Sequence, residues 1–124
     1  MSKKNYFIKN SKLTEQQKKF CRCILHIAKA NKSSCNRTKK WNNKIKCYNP
    51  YSTCAKSVKT TTGGKPCNYN FKNLSKKEII TYIKLNYKKF KYWLYINKIK
   101  KYISKMNVKE LKKYVTKWYD TYKK

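Results

Sequence analysis

The sequence predicts a small all-α protein, with short helices and cysteine-containing loops in its first half and three amphipathic helices in its second. Apolar residues recur at three- and four-residue spacing over long stretches, which is the period of a half-buried helix. Ser, Thr or Asn is followed three residues later by Glu or Gln at several points, the pattern of a capping box. No run alternates for long enough to require a sheet.

Thr14 is a good N-cap, and Gln17 completes a capping box with it. Phe20, Cys23, Ile24, Ile27 and Ala28 then recur on one face, which predicts a helix over 15–30. A second short helix is expected over 34–43, burying Trp41. At Asn49-Pro50, Asn suits a cap and Pro the first helical position, so a third helix is expected over 50–58. Residues 60–66, Thr-Thr-Thr-Gly-Gly-Lys-Pro, read as a loop. This loop lacks the Gly-x4-Gly-Lys-Ser/Thr spacing of a phosphate-binding P-loop.

Leu74-Ser75-Lys76-Lys77-Glu78-Ile79 and Met106-Asn107-Val108-Lys109-Glu110-Leu111 repeat one design, a capping box with a hydrophobic staple. Between them, Tyr92, Tyr95, Ile96, Ile99, Tyr102, Ile103 and Met106 fall on one helical stripe, opposite Lys91, Lys98, Lys101 and Lys105. In the last helix Leu111, Val115, Trp118 and Tyr122 oppose Lys109, Lys113 and Lys117. All six cysteines, both glycines and both prolines precede residue 73. The chain is therefore read as two subdomains, 1–73 and 74–124, sharing one core.

Charge dominates the composition. Thirty-four Lys and Arg face four Asp and Glu, a net charge of +30 on 124 residues. Such a chain repels itself, and a polyanionic partner is the expected remedy. Nucleic acid is the first such partner to consider, DNA ahead of RNA; an anionic membrane or an acidic protein comes second. All but two of the cations, Arg22 and Arg37, are Lys. Lysine is a hydrated point charge suited to phosphates, whereas arginine supplies most bidentate readout of guanine. Lys, Asn, Ile, Tyr and Phe fill 71 positions. AT-rich coding would favour Lys over Arg, but it does not account for the scarcity of acids.

The inventory argues against catalysis. Glu15, Glu78 and Glu110 each sit in a predicted first helical turn, where a carboxylate offsets the helix dipole. That leaves Asp120 and the single histidine, His26, too few groups for paired-carboxylate or metal-assisted chemistry. We expect no enzyme, cofactor or metal. The cysteines support three readings. Cys21-x-Cys23-x2-His26 with Cys35 supplies zinc-type ligands, but contains no Cys-x2-Cys pair. Six cysteines within 47 residues also suit a disulfide-stapled module. The third reading is buried free thiols, which fits Cys23 best because it lies on the apolar stripe of 15–30.

Phosphate contacts are expected at Lys91, Lys98, Lys101, Lys105, Lys109, Lys113 and Lys117, with Arg22 and Arg37 in support. Aromatic rings beside such lysines can stack on unpaired bases. Tyr92, Tyr95 and Trp118 lie on the apolar stripes and are assigned to the core; Trp93 and Tyr119 lie off them and are the stacking candidates. No apolar run approaches a membrane span, and the first residues lack a signal-peptide core. An intracellular, non-secreted protein is expected.

Two elements are more distinctive than composition: Phe20-Cys21-Arg22-Cys23 and Cys47-Tyr48-Asn49-Pro50-Tyr51-Ser52-Thr53-Cys54-Ala55-Lys56-Ser57-Val58. Over about 20–87 the chain resembles a family of small, basic, uncharacterised proteins encoded by nucleocytoplasmic large DNA viruses. That resemblance implies no activity and no catalytic residues. It implies a virion or an intracellular viral replication site as location. It also implies a virally encoded thiol oxidase, which favours the disulfide reading, with Cys21, Cys35, Cys47, Cys54 and Cys67 as the pairing candidates. The expected function is sequence-nonspecific nucleic-acid binding in genome packaging or replication. The alternative is a disulfide-stabilised virion structural or adaptor protein with an acidic protein partner.

Overall fold

The computed structural model describes residues 5–9 and 11–122. Six α-helices run in the order α1 (Glu15–Ala30), α2 (Ser33–Thr38), α3 (Pro50–Val58), α4 (Lys76–Leu85), α5 (Tyr87–Ile96) and α6 (Val108–Tyr122). Short 3-10 turns lie at Asn43–Ile45, Phe71–Asn73 and Ile103–Lys105. Among the described residues there is no strand, only the isolated antiparallel bridges Phe7–Tyr69 and Asn42–Cys47. The all-α reading holds.

The local signals act where the sequence puts them. Thr14 Oγ1 accepts from Gln17 N at 3.1 Å, and Gln17 Oε1 accepts from Thr14 N at 3.0 Å. Ser75 and Glu78 exchange the same pair of bonds, as do Asn107 and Glu110. Both predicted staples are buried: Leu74 with Ile79, and Met106 with Leu111. Asn49 Oδ1 caps α3 through Tyr51 N and Ser52 N, with Pro50 in the first turn.

Two expectations are corrected. The helix expected over 34–43 stops at Thr38, because Lys39 turns left-handed (φ 54°) and its N–H bonds to Cys35 O. Trp41 lies beyond the helix, only half-buried against the core. The stripe from Tyr92 to Met106 is not one helix either. The Asn97 amide donates to Trp93 O at 2.8 Å, and Lys98 adopts a left-handed conformation (φ 59°). The chain therefore leaves the helix after Ile96.

One apolar cluster runs through both halves of the chain. Helix α4 is its hub, packed against α1, α2, α5 and α6, while α1 also packs on α3. Rings form its spine: Phe7 stacks on Tyr69 at 5.8 Å, Tyr69 meets Tyr82 at 5.6 Å, and Tyr82 meets Trp118 at 6.0 Å. Trp118 in turn meets Phe90, also at 6.0 Å. Such pairs contribute about 0.5–1.5 kcal/mol each beyond the area they bury.

Three disulfides staple the first half: Cys21–Cys67, Cys23–Cys54 and Cys35–Cys47. Cys23 is therefore not a free thiol. Cys21 and Cys23 point to different sides of α1, so one bonds the loop before Phe71–Asn73 and the other bonds α3. With Cys21, Cys23 and Cys35 all in disulfides, the zinc-type ligand set is not assembled. Among the described residues no three His, Cys, Asp or Glu converge as metal ligands.

Candidate nucleic-acid interface

No described Lys or Arg is buried, so the cationic charge lies on the surface. Among the described residues the ion pairs are Lys18–Glu15 at 3.4 Å and Lys101–Glu110 at 2.7 Å. Glu78, the third glutamate, is buried in the α4 capping box. The surface field is thus almost wholly positive.

Helix α5 carries part of that field, with Lys88, Lys89 and Lys91 exposed on it. Its ten residues, Tyr-Lys-Lys-Phe-Lys-Tyr-Trp-Leu-Tyr-Ile, are apolar on more than one side. Phe90, Trp93 and Leu94 (i, i+3, i+4) face the core. The opposite triplet at the same spacing, Tyr92, Tyr95 and Ile96, is left outside, with Tyr92 63% and Tyr95 78% exposed. The burial expected of these rings is therefore reversed. Trp93 and Tyr119 are buried, at 6% and 7% exposure, and offer no face to a base; Tyr92 and Tyr95 are not core. Trp118 is fully buried, as the stripe predicts.

Tyr87, at the start of α5, carries three cations over its ring: Lys84 at 5.3 Å, Arg37 at 5.5 Å and Lys91 at 5.7 Å. Burial first, and then the Arg37 charge, hold the Lys84 amine below the usual lysine range, with Tyr87 opposing. A bound anion would relieve that repulsion.

Tyr87 also joins two clefts. One, toward α2, is lined by Arg37, Lys39, Lys88 and Lys89. The other, of about 680 Å³, lies between α5 and the loop after it; Leu94, Ile96, Ile99 and Ile103 make an apolar floor, and Lys91, Lys98, Lys100 and Lys101 line it with Tyr95 and Tyr102. Neither lining contains an acidic residue. Together they make a basic track past a helix about 15 Å long.

Three of the expected phosphate contacts, Lys91, Lys98 and Lys101, thus share one cleft, although Lys101 is partly neutralised by Glu110. Arg37 stands at the other end of the track. Lys109, Lys113 and Lys117 form an exposed row on α6, and Lys105 is exposed on the turn before it. Arg22 stands apart on α1, half-buried over the Phe7 ring at 5.9 Å. Sequence reasoning missed Lys39, Lys88, Lys89 and Lys100. The run Lys98-Ile-Lys100-Lys101 was visible, but a helical projection separates residues that a loop brings to one cleft.

A further cleft, lined by Tyr51, Tyr69, Tyr82, Tyr119 and the Cys67 disulfide, contains no Asp, Glu or His. Burial, and next the neighbouring phenols, push the Tyr69 and Tyr82 hydroxyls well above the usual range. These phenols stay protonated near neutral pH. No protein-family model, curated protein or solved structure matches the chain.

Proposed function

We propose that this is a non-enzymatic nucleic-acid-binding protein that holds the phosphate backbone with little sequence preference. The observation that carries this reading is the basic track along α5, two acid-free clefts joined at Tyr87. Lysine outnumbers arginine along it, which suits charge neutralisation rather than base readout. Three of the four acids have structural roles: Glu78 and Glu110 cap helices and Glu15 sits in the first turn of α1, leaving Asp120 exposed near the end of α6. On its resemblance to the viral proteins, we assign it to genome packaging or a viral replication site.

The test is binding of the purified, oxidised protein to several unrelated DNA sequences and to heparin across a salt series. The reading expects similar affinities among the DNA sequences, tighter binding to DNA than to heparin, and a steep loss with salt. Equal or tighter binding to heparin would contradict it.

The three disulfides favour a second reading, a virion structural or adaptor protein with an acidic protein partner. It expects the cysteines oxidised in assembled particles and no DNA binding at physiological salt. Retained DNA binding under those conditions would set it aside.

A further inference from the structure

We propose that Tyr92, Tyr95 and Tyr102 form a stacking platform for unpaired bases, so that the preferred partner is single-stranded nucleic acid. This rests on the nucleic-acid reading above and specifies its ligand. Among the described residues these are the three most exposed large apolar side chains, at 63%, 78% and 77%. None of the three rings meets another ring or a cation there. Their π-faces are open, unlike the Tyr87 ring with its three cations.

Tyr92 and Tyr95 lie three apart on α5, and Tyr95 lines the same cleft as Tyr102. Lys91, Lys98 and Lys100 line that cleft as well. Stacking rings beside a cationic groove are how single strands are held without sequence readout. In a duplex the base faces are already stacked on one another, so exposed rings gain nothing there. The rim charge also disfavours a second copy of this chain, since like would meet like. Membrane-surface helices bury Trp, Phe and Leu; here Trp93, Phe90 and Leu94 face the core, and α5 presents outward two tyrosines and a single aliphatic residue, Ile96.

The experiment compares oligothymidylate, an abasic oligomer with the same number of phosphates, a DNA duplex and anionic phosphatidylserine vesicles at one salt concentration. Wild type should bind oligothymidylate at least about 10-fold more tightly than the abasic oligomer. The exposed triple variant Tyr92→Ser/Tyr95→Ser/Tyr102→Ser should lose most of that difference while keeping its abasic affinity. The corresponding Phe triple should retain the difference. Equal wild-type binding of oligothymidylate and the abasic oligomer, or tyrosine-dependent binding that is tighter to vesicles, would overturn the platform while leaving phosphate binding intact. Failure to bind any of the nucleic acids would overturn the underlying reading as well.

Discussion

The Tyr119 hydroxyl donates to Asn68 Oδ1 at 2.7 Å and accepts from Asn68 N at 3.0 Å, fastening the last helix to the loop after Cys67. Asn68 is held in a left-handed conformation (φ 56°), which Asn tolerates better than most residues. Tyr119→Phe leaves the part-buried Asn68 donor and acceptor without this partner. It should cost about 1–2 kcal/mol in denaturant unfolding and leave DNA affinity unchanged. A variant of wild-type stability with weakened DNA binding would return Tyr119 to the interface.

The Cys23–Cys54 bond closes a loop with a sequence separation of 31 between α1 and α3. Replacing both residues with Ser should lower stability by about 3–4 kcal/mol. Peptide mapping without reductant should recover Cys23 linked to Cys54 and Cys21 linked to Cys67. Any other pairing would show that α1 meets α3 differently.

Salt should act on folding and binding with opposite signs. Raising ionic strength from about 0.01 to about 0.15 M shortens the Debye length from about 30 to about 8 Å. The +30 chain then repels itself less, so its Tm should rise while its DNA affinity falls. A Tm that falls with added salt would contradict the charge argument.

Helix α3 ends at Lys59, which is left-handed (φ 65°) with its N–H bonded to Ala55 O. Glycine adopts that conformation without the steric cost a Cβ brings. Lys59→Gly should therefore stabilise by about 0.5–1 kcal/mol, offset in part by the looser unfolded chain. Thermal unfolding of the variant beside wild type measures this.

The Lys101 hydrogen bond first, then the Asn107 backbone bond, hold the Glu110 carboxyl below its ordinary value of 4.5. A depressed carboxylate contributes stability above the unfolded-state value and loses it as pH falls through the folded one. Glu110→Gln should thus be less stable than wild type near neutral pH, and the difference should shrink on acidification below about 4.5. A difference independent of pH would refute the assignment.

Much of the fold was legible because its signals are local. Thr14–Gln17, Ser75–Glu78, Asn107–Glu110 and Asn49-Pro50 each specify a helix start within a few residues. The interface was less legible, because α5 carries two apolar triplets at equal spacing. Phe90, Trp93 and Leu94 win the core because that face meets α4 and α6, a choice made by tertiary packing. The end of α5 carries no Gly or Pro; an Asn side chain and a left-handed lysine make the break. The cysteine pairing was hidden for a similar reason. A residue on an apolar stripe looks like core until the facing helix is known, and Cys23 faces Cys54.

The central claim is that the cleft lysines hold phosphates, and the slope of log K against log salt for single-stranded DNA measures it most directly. Replacing Lys91, Lys98 and Lys100 with Gln should reduce that slope by about 2, at roughly 0.7 for each phosphate no longer neutralised, with folding unchanged. An unaltered slope in the folded variant would show that the phosphates are held elsewhere and would contradict the account.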